Sequence, residues 1–496
     1  MNETKESYKQ IIKATTLFGG VQFINILLSI IKSKVVAVLL GTSGIGILTL
    51  LNSSLNLISS ATGFGLESSG IQSISGSFGS GNQERLSKTI LAFKRLILIT
   101  GIFGCLITIV FASYFSRLAF GNTDFTIAFI WLSVAVLFKQ LTSGYLSVLQ
   151  SLKALKLYAK ANLIANLLSL MVVVPMYFYW ELNAISPSIA ISTIISFVLG
   201  YWYSQKTIKY KEKISNKEAF LEGKAMLYLG ISLSISELFR MISEYLVQIG
   251  IGYMDGLDQV GLYGAGLILL NSYVGIIFVV MSKNYYPKLA EIITEKTEIQ
   301  KLAFHQSYLS ILLITPIIIL FIIFAPLVIK LLFSQKFMPI DEMVSWGILA
   351  MIFKAMSWTL GYIIIAKGDS GVFVKTSISF SVLYLIMLMG GYYIEGLEGL
   401  GVAFLIYFII HFVIIKLIVS RRYGIYLDSE VYYLFYKCCL LCGSVFVLNY
   451  LPWLYLKYII MGVIAVFTCF YMLFLLNKKI PLKDLLTLMS KKKISD

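Results

Sequence analysis

The stretch ISLSISELFRMISEYLVQIGI, residues 231 to 251, is long and apolar enough to cross a bilayer, yet it contains Glu237, Arg240 and Glu244. At 100° per residue these three side chains lie on one face of a helix, so they form a single ionisable stripe. A charge at the centre of the hydrocarbon costs about 2.5 to 3.5 kcal/mol, so it is retained where it faces water or a partner inside a bundle. The stretch therefore predicts a polar interior in a membrane protein.

The composition of the whole chain also indicates a membrane protein. Of the 496 residues, 58% are hydrophobic and 13% are charged, about half the charged fraction of a soluble protein. Apolar blocks of about 20 residues recur along nearly the whole length, and each matches a hydrocarbon core about 30 Å thick. The blocks predict an all-α integral membrane protein with fourteen spans, near residues 12–37, 44–72, 89–114, 125–149, 159–180, 185–205, 224–251, 259–284, 306–333, 343–367, 371–393, 398–419, 432–451 and 453–477.

The connections between spans alternate between rich and poor in Lys and Arg. The segment 206–223 is strongly basic, whereas 41–44 has no cation, and the same contrast repeats along the chain, with Arg117, Lys330 and Lys336 as exceptions. Because cations accumulate on the cytoplasmic side, this pattern predicts that both termini are cytoplasmic. It also assigns the net charge of +16 to membrane topology rather than to a nucleic-acid partner.

The external connections are all short, which leaves no room for an external catalytic domain. The polar loops contain no glycine-rich phosphate loop, no metal-ligand cluster and no arrangement of a nucleophile with a base. We therefore expect a protein that is not an enzyme and that needs no cofactor or metal.

Three local similarities indicate an internal repeat. GTSGIGIL from Gly41 resembles DQVGLYGAGL from Asp258, which matches Gly44 to Gly261; residues 116–122 resemble 329–335, and the segment ending at Lys160 resembles the one ending at Lys375. The offsets are 217, 213 and 215 residues. An even number of spans per copy gives both copies the same orientation in the membrane. The repeat predicts six-helix lobes at 1–205 and 224–420, a cytoplasmic linker at 206–223, and two further helices with a basic tail at 421–496.

Ionisable groups inside the predicted spans occur on matching helices of both lobes. Lysine and arginine at this depth suit an anionic ligand, and buried acids suit ion coupling. Internal pairing of Glu237 with Arg240, and snorkelling of Lys32 and Lys34 to the interface, are the alternatives that the sequence leaves open. The candidate ligand-binding cations are Lys32, Lys34, Lys139, Arg240 and Lys354, the candidate acids are Glu67, Glu237 and Glu244, and the candidate polar groups are Gln22, Asn25 and Asn271.

The segment KSKVVAVLLGTSGIGILTLLNSSLNLISSATGFGLESSGIQSISG, residues 32 to 76, resembles polysaccharide repeat-unit flippases of the Wzx type, particularly the O-antigen and enterobacterial-common-antigen translocases. In those sequences a lysine stands seven residues before the glycine of the first external loop, a position that Lys34 occupies here. The resemblance implies membership of the multidrug, oligosaccharidyl-lipid and polysaccharide exporter superfamily. It also implies a MATE-like pair of six-helix bundles, a central cationic cavity and alternating access.

The function that the resemblance implies is flipping of an undecaprenyl-diphosphate-linked oligosaccharide to the outer leaflet of the bacterial inner (plasma) membrane, for O-antigen, lipopolysaccharide or related polysaccharide biosynthesis. H⁺ or Na⁺ coupling and a neighbouring polysaccharide polymerase with its chain-length machinery would accompany that role. A cation-coupled multidrug exporter and a lipid-linked peptidoglycan-precursor flippase, which also has fourteen spans, are the alternatives. Short external loops argue against a glycan-processing enzyme, and the intramembrane charges argue against an inert scaffold.

Overall fold

The computed structural model describes residues 24, 25, 27–207 and 216–479, and within these ranges its regular elements are all helices. The candidate polar residue Gln22 and the start of the first predicted span lie outside the described residues. A π-helical turn, Ile268–Val274, follows α9. In chain order the helices are α1 (27–39), α2 (Gly41–Gly63), α3 (Leu66–Gly79), α4 (Gln83–Val110), α5 (Ala112–Phe120), α6 (Thr126–Ser151), α7 (Leu155–Trp180), α8 (Ile185–Gln205), α9 (Asn216–Leu267), α10 (Ile276–Glu291), α11 (Lys296–Leu332), α12 (Asp341–Ala366), α13 (Ser370–Tyr423), α14 (Ser429–Asn449) and α15 (Leu454–Lys479).

Ten helical stretches of the described chain are long and apolar enough to cross a membrane. Three of them have 51, 50 and 54 residues, which is more than twice the length needed at 1.5 Å per residue. Each of the three is interrupted, at Glu181, at Gly256 and at Glu395–Gly396, and so covers two predicted spans. The ten stretches therefore overlap every predicted span after the first, although they cover 44–72 only up to Gly63 and 259–284 only up to Asn271. The multi-span all-α fold is confirmed.

One predicted span, 44–72, is wrong as a continuous helix. α2 ends at Gly63 and α3 begins at Leu66, because Phe64 and Gly65 both adopt the left-handed conformation. A Cβ on Gly65 would overlap the backbone carbonyl of Gly230 on α9, so the break lies where two backbones approach too closely for a side chain.

The backbone confirms the internal repeat and corrects its register. Three pairs of residues with positive φ lie 215 positions apart, and two of the pairs include a non-glycine residue, for which this conformation is uncommon. The match of Gly44 to Gly261 is therefore wrong by two residues, since Gly46 is the equivalent of Gly261. The pairs are Gly41 (φ 69°) with Gly256 (φ 83°), Lys153 (57°) with Gly368 (68°), and Glu181 (47°) with Gly396 (56°).

The chain divides into two compact units. Unit 1 comprises Met1–Gly264 with Leu332–Lys336, and unit 2 comprises Ala265–Leu331 with Phe337–Asp496. Within unit 1, α6 packs against α3, α4 and α8; within unit 2, its repeat equivalent α12 packs against α10, α13 and α14. These two well-packed helices carry Lys139 and Lys354. The exact lobe bounds taken from the sequence stay a prediction.

A close crossing of α2 with the second segment of α9 lies within unit 1. A Cβ on Gly46 would overlap the carbonyl oxygen of Leu257, and a Cβ on Gly261 would overlap that of Thr42. Thr42 and Leu257 are themselves 215 positions apart, so the two contacts are reciprocal. Reciprocal contacts are the pattern that a local two-fold axis between equivalent helices produces.

Candidate functional site

The cluster around Lys139 joins three helices of unit 1. Lys139 lies near the middle of α6, and its Nζ donates a hydrogen bond to Asn56 Oδ1 on α2. Ser143, one turn further along α6, donates to the carboxylate of Glu67 in the first turn of α3. Glu67 also interacts electrostatically with Lys139. The structure thus brings together two of the candidates from the sequence, Glu67 and Lys139, and adds Asn56 and Ser143.

The cluster around Lys354 includes aromatic side chains. Lys354 lies near the middle of α12, and its Nζ donates to Asn271 Oδ1 at 3.2 Å. The same Nζ lies 5.7 Å from the ring centroid of Phe278 and 5.3 Å from that of Phe408. Asn271 belongs to the π-helical turn Ile268–Val274, a distortion that is frequent at functional sites.

The two lysine–asparagine pairs are copies of each other. Lys139 and Lys354 are 215 positions apart, as are Asn56 and Asn271, and each lysine is 83 residues from its asparagine. An amide oxygen carries no net charge, so the hydrogen bond positions the ammonium group without neutralising it. Sequence reasoning found Asn271 but missed Asn56, because the repeat was aligned two residues out of register at this point. The 215-residue register is the signal that finds it.

Arg240 is held by its own helix. Its Nε donates to Glu237 Oε2 at 2.9 Å, and its Nη1 donates to Glu244 Oε1 at 2.5 Å. The three side chains lie on one face of α9, as the sequence predicted, and all three are partly exposed. Two carboxylates surround one guanidinium, so the stripe carries a net negative charge. The sequence left ligand binding and internal pairing open; the structure contains the internal pairs, and binding of a ligand by Arg240 stays a prediction.

The candidates on α1 and just before it lie in other surroundings. Lys34 Nζ donates to the carbonyl oxygen of Phe333 at 2.6 Å, just beyond the C-terminus of α11, where a cation also complements the helix dipole. Asn25 Oδ1 accepts a hydrogen bond from Asn166 Nδ2 on α7 at 2.9 Å. Lys32 is exposed. Lys34 is therefore bonded to Phe333 rather than to the Lys139 cluster. The ligand roles of these three residues stay predictions.

His411 belongs to the surroundings of Lys354. Its Nδ1 is hydrogen-bonded to Ser357 Oγ, and its ring centroid lies 4.0 Å from that of Phe380.

Over the described ranges, no group of three His, Cys, Asp or Glu side chains is placed to hold a metal ion.

A family model described as "Polysaccharide biosynthesis protein" matches residues 35–342. The chain belongs to the polysaccharide biosynthesis protein family. The match covers most of the chain, including Asn56, Lys139 and Asn271, and ends before Lys354. It confirms the family expected from residues 32 to 76. No curated protein sequence matches this polysaccharide biosynthesis protein.

Solved structures show which fold the chain has. The lipid II flippase MurJ, in an inward closed conformation, is 13% identical, with a TM-score of 0.71 over 94% of this chain and 99% of that one. The Vibrio cholerae MATE transporter VcmN is 17% identical, with a TM-score of 0.61 over 87% of this chain and 100% of that one. A Pyrococcus furiosus MOP superfamily transporter, described as having a binding pocket of reversed polarity, is 13% identical, with a TM-score of 0.59 over 82% and 96%. The expected MATE-like fold is confirmed.

Proposed function

We propose that this polysaccharide biosynthesis protein is a flippase that moves an undecaprenyl-diphosphate-linked oligosaccharide from the cytoplasmic to the outer leaflet of the bacterial inner membrane. The observation that carries the proposal is the duplicated lysine–asparagine pair. A lysine near the middle of a span costs free energy, because its charge is removed from water. Such residues are therefore rare, and intramembrane cations mark ligand or ion pathways. A phosphate of the lipid headgroup is the complementary ligand, because an ammonium group offers three donors and a full positive charge.

In the proposed mechanism, the headgroup phosphates replace the asparagine oxygen as acceptors for Lys139 or Lys354, while the prenyl chain stays in the surrounding lipid. Alternating access then exposes the polar interior to the other leaflet. Glu67, Glu237 and Glu244 are the acids proposed for H⁺ or Na⁺ coupling. A polysaccharide polymerase with its chain-length machinery would use the product in the outer leaflet.

A cation-coupled multidrug exporter is a second candidate, favoured by the net negative stripe around Arg240 and by the MATE fold. A peptidoglycan-precursor flippase is a third, favoured by the fold shared with MurJ, which is described as a lipid II flippase. Both share the fold, so the fold does not separate them from the first candidate.

The test is a deletion strain complemented with the wild-type chain, the Lys139→Gln/Lys354→Gln variant, or the control Lys416→Gln. Lys416 is another span lysine, whose Nζ lies 4.3 Å from the ring centroid of Tyr432. We expect the double variant to reach the membrane at normal levels yet leave surface glycan absent, while the control restores it. Normal surface glycan from the double variant would overturn the proposal. Drug hypersensitivity of the deletion strain would instead support the exporter, and lysis with accumulated lipid II would support the peptidoglycan role.

A further inference from the structure

A row of aromatic side chains leads away from Lys354 within unit 2. Phe278 on α10 lies 6.0 Å from Trp358 on α12 between ring centroids, Trp358 lies 4.7 Å from Tyr362, and Tyr362 lies 5.8 Å from Tyr286. We call Phe278, Trp358, Tyr362 and Tyr286 the aromatic row. Phe278 is buried, Trp358 and Tyr362 are half-buried, and Tyr286 is exposed, so the row becomes more accessible with distance from the lysine.

The internal repeat shows that the fold does not require these rings. In the 215-residue register, the equivalents of Phe278, Trp358 and Tyr362 are Gly63, Ser143 and Ser147. The equivalent helices around Lys139 in unit 1 therefore pack with glycine and serine at these three positions. Large rings at three such positions in only one copy indicate a property of that copy rather than a packing requirement of the fold.

The polar atoms of the row distinguish it from ordinary core aromatics. Buried Tyr and Trp usually satisfy their polar hydrogen internally. Tyr285, beside the row, does so by donating to the carbonyl of Thr359 at 3.1 Å. Among the side chains that the structure describes, which do not include those of residues 272, 273, 276, 279, 280, 283 and 284, the indole N–H of Trp358 and the hydroxyl of Tyr362 have no hydrogen-bond partner.

We propose that the aromatic row binds the first sugar of the lipid-linked substrate, while Lys354 holds the adjacent phosphate; this inference rests on the proposed function. A sugar ring has an apolar C–H face that stacks on an aromatic face, and hydroxyl groups that accept from Trp and Tyr donors at its edge. A lysine next to stacked rings therefore matches a sugar joined to a phosphate. The unit 1 copy, with Gly63 and Ser143 in place of the rings, offers no equivalent platform.

The test compares two probes on the purified full-length protein in lipid nanodiscs: undecaprenyl diphosphate, and undecaprenyl diphosphate carrying one N-acetylglucosamine. We expect Trp358→Leu and Tyr362→Leu each to weaken binding of the sugar-bearing probe about ten-fold and to leave binding of the sugar-free probe within about two-fold of wild type. Trp358→Phe keeps an aromatic ring and is expected to retain most of the affinity for the sugar-bearing probe. This conservative variant distinguishes loss of the ring from a folding defect in Trp358→Leu.

Trp346→Leu is the matched control, because Trp346 is the other half-buried tryptophan of α12 and its N–H donates to Glu398 at 3.1 Å. It is expected to change the binding of neither probe. Equal weakening of both probes by Trp358→Leu, or no weakening of either, would overturn the sugar site. Lys354→Gln tests the proposed function separately, and it should weaken the binding of both probes. Unchanged binding of both would contradict the phosphate-binding role of Lys354, whatever the result for the aromatic row.

Discussion

At the scale of single residues, Arg240 differs from Lys139 and Lys354 in how its charge is accommodated within the spans. Arg240 is matched by two carboxylates of its own helix, an arrangement that stabilises the ions without help from a ligand. Lys139 and Lys354 instead donate to neutral amide oxygens, and Lys139 also interacts electrostatically with Glu67. The second arrangement suits recruitment of an anion, whereas the first suits a permanent pair.

Removal of Arg240 should therefore destabilise the protein through its two glutamates. Arg240→Met leaves Glu237 and Glu244 on the same face of α9 without the cation between them. We expect a loss of about 1 kcal/mol in the free energy of unfolding, since the groups are partly exposed. The triple variant Glu237→Gln/Arg240→Met/Glu244→Gln removes the repulsion and should recover the melting temperature. Thermal melting by intrinsic fluorescence measures this; a triple variant as unstable as the single one would contradict the pairing.

Asp369, in the connection between α12 and α13, predicts a pH dependence. Arg422 Nε donates to its carboxylate at 2.7 Å, which lowers the pKa of Asp369 below its ordinary value of 3.8. Because the folded state favours the ionised form, the stabilisation is fully present above pH 3.8 and is lost as the pH falls through the lowered pKa. We expect the melting temperature to drop in that acidic range, and to drop less in Asp369→Asn, whose amide still caps α13 through Val372.

The comparison variant for Asp369 is Asp124→Asn, in the connection between α5 and α6. It should keep the wild-type dependence of melting temperature on pH. An Asp369→Asn curve that follows the wild type over the whole acidic range would contradict the contribution of Arg422.

At the scale of helices, the crossing of α2 and α9 depends on the absence of side chains. The backbones at Gly46 and Gly261 approach so closely that even a methyl group would displace the facing carbonyl. The repeat makes the two positions equivalent, so they should respond alike to substitution. A hydrogen bond from Ser43 Oγ to Asp258 at 2.8 Å lies beside the crossing and joins the same two helices.

Gly46→Leu and Gly261→Leu should each lower the free energy of unfolding by about 1–3 kcal/mol, because overpacking forces the two backbones apart. The control is Gly361→Ala on α12, where an added Cβ meets no atom within 4 Å. That change removes the conformational freedom of a helical glycine and should stabilise by about 0.5–1 kcal/mol. Urea unfolding in detergent measures all three; equal stability of Gly46→Leu and wild type would contradict the contact.

At the scale of the whole molecule, the alternation of charged and uncharged connections predicts the orientation of every span. In a cysteine-free background, Asn183→Cys and Glu395→Cys lie in predicted external connections, and Lys156→Cys and Ser370→Cys lie in predicted cytoplasmic ones. All four positions are exposed. A membrane-impermeant maleimide should label the first two in intact spheroplasts and the last two only after the membrane is permeabilised. Labelling of Lys156→Cys from outside would overturn the topology.

What the sequence determined by itself is the membrane class, the spans, the family and the lysines in the middle of spans. These properties are local, because bilayer thickness sets the length of an apolar block and the cost of a buried charge makes each exception visible within one segment.

Only the tertiary structure decided which groups meet. Lys139 and Asn56 are 83 residues apart and come from different helices. The break at Phe64 and Gly65 depends on the nearby backbone of Gly230, and the aromatic row joins α10 to α12. Apolar periodicity carries no information about such partners, since it reports that a helix is buried but not which neighbour lies against each face.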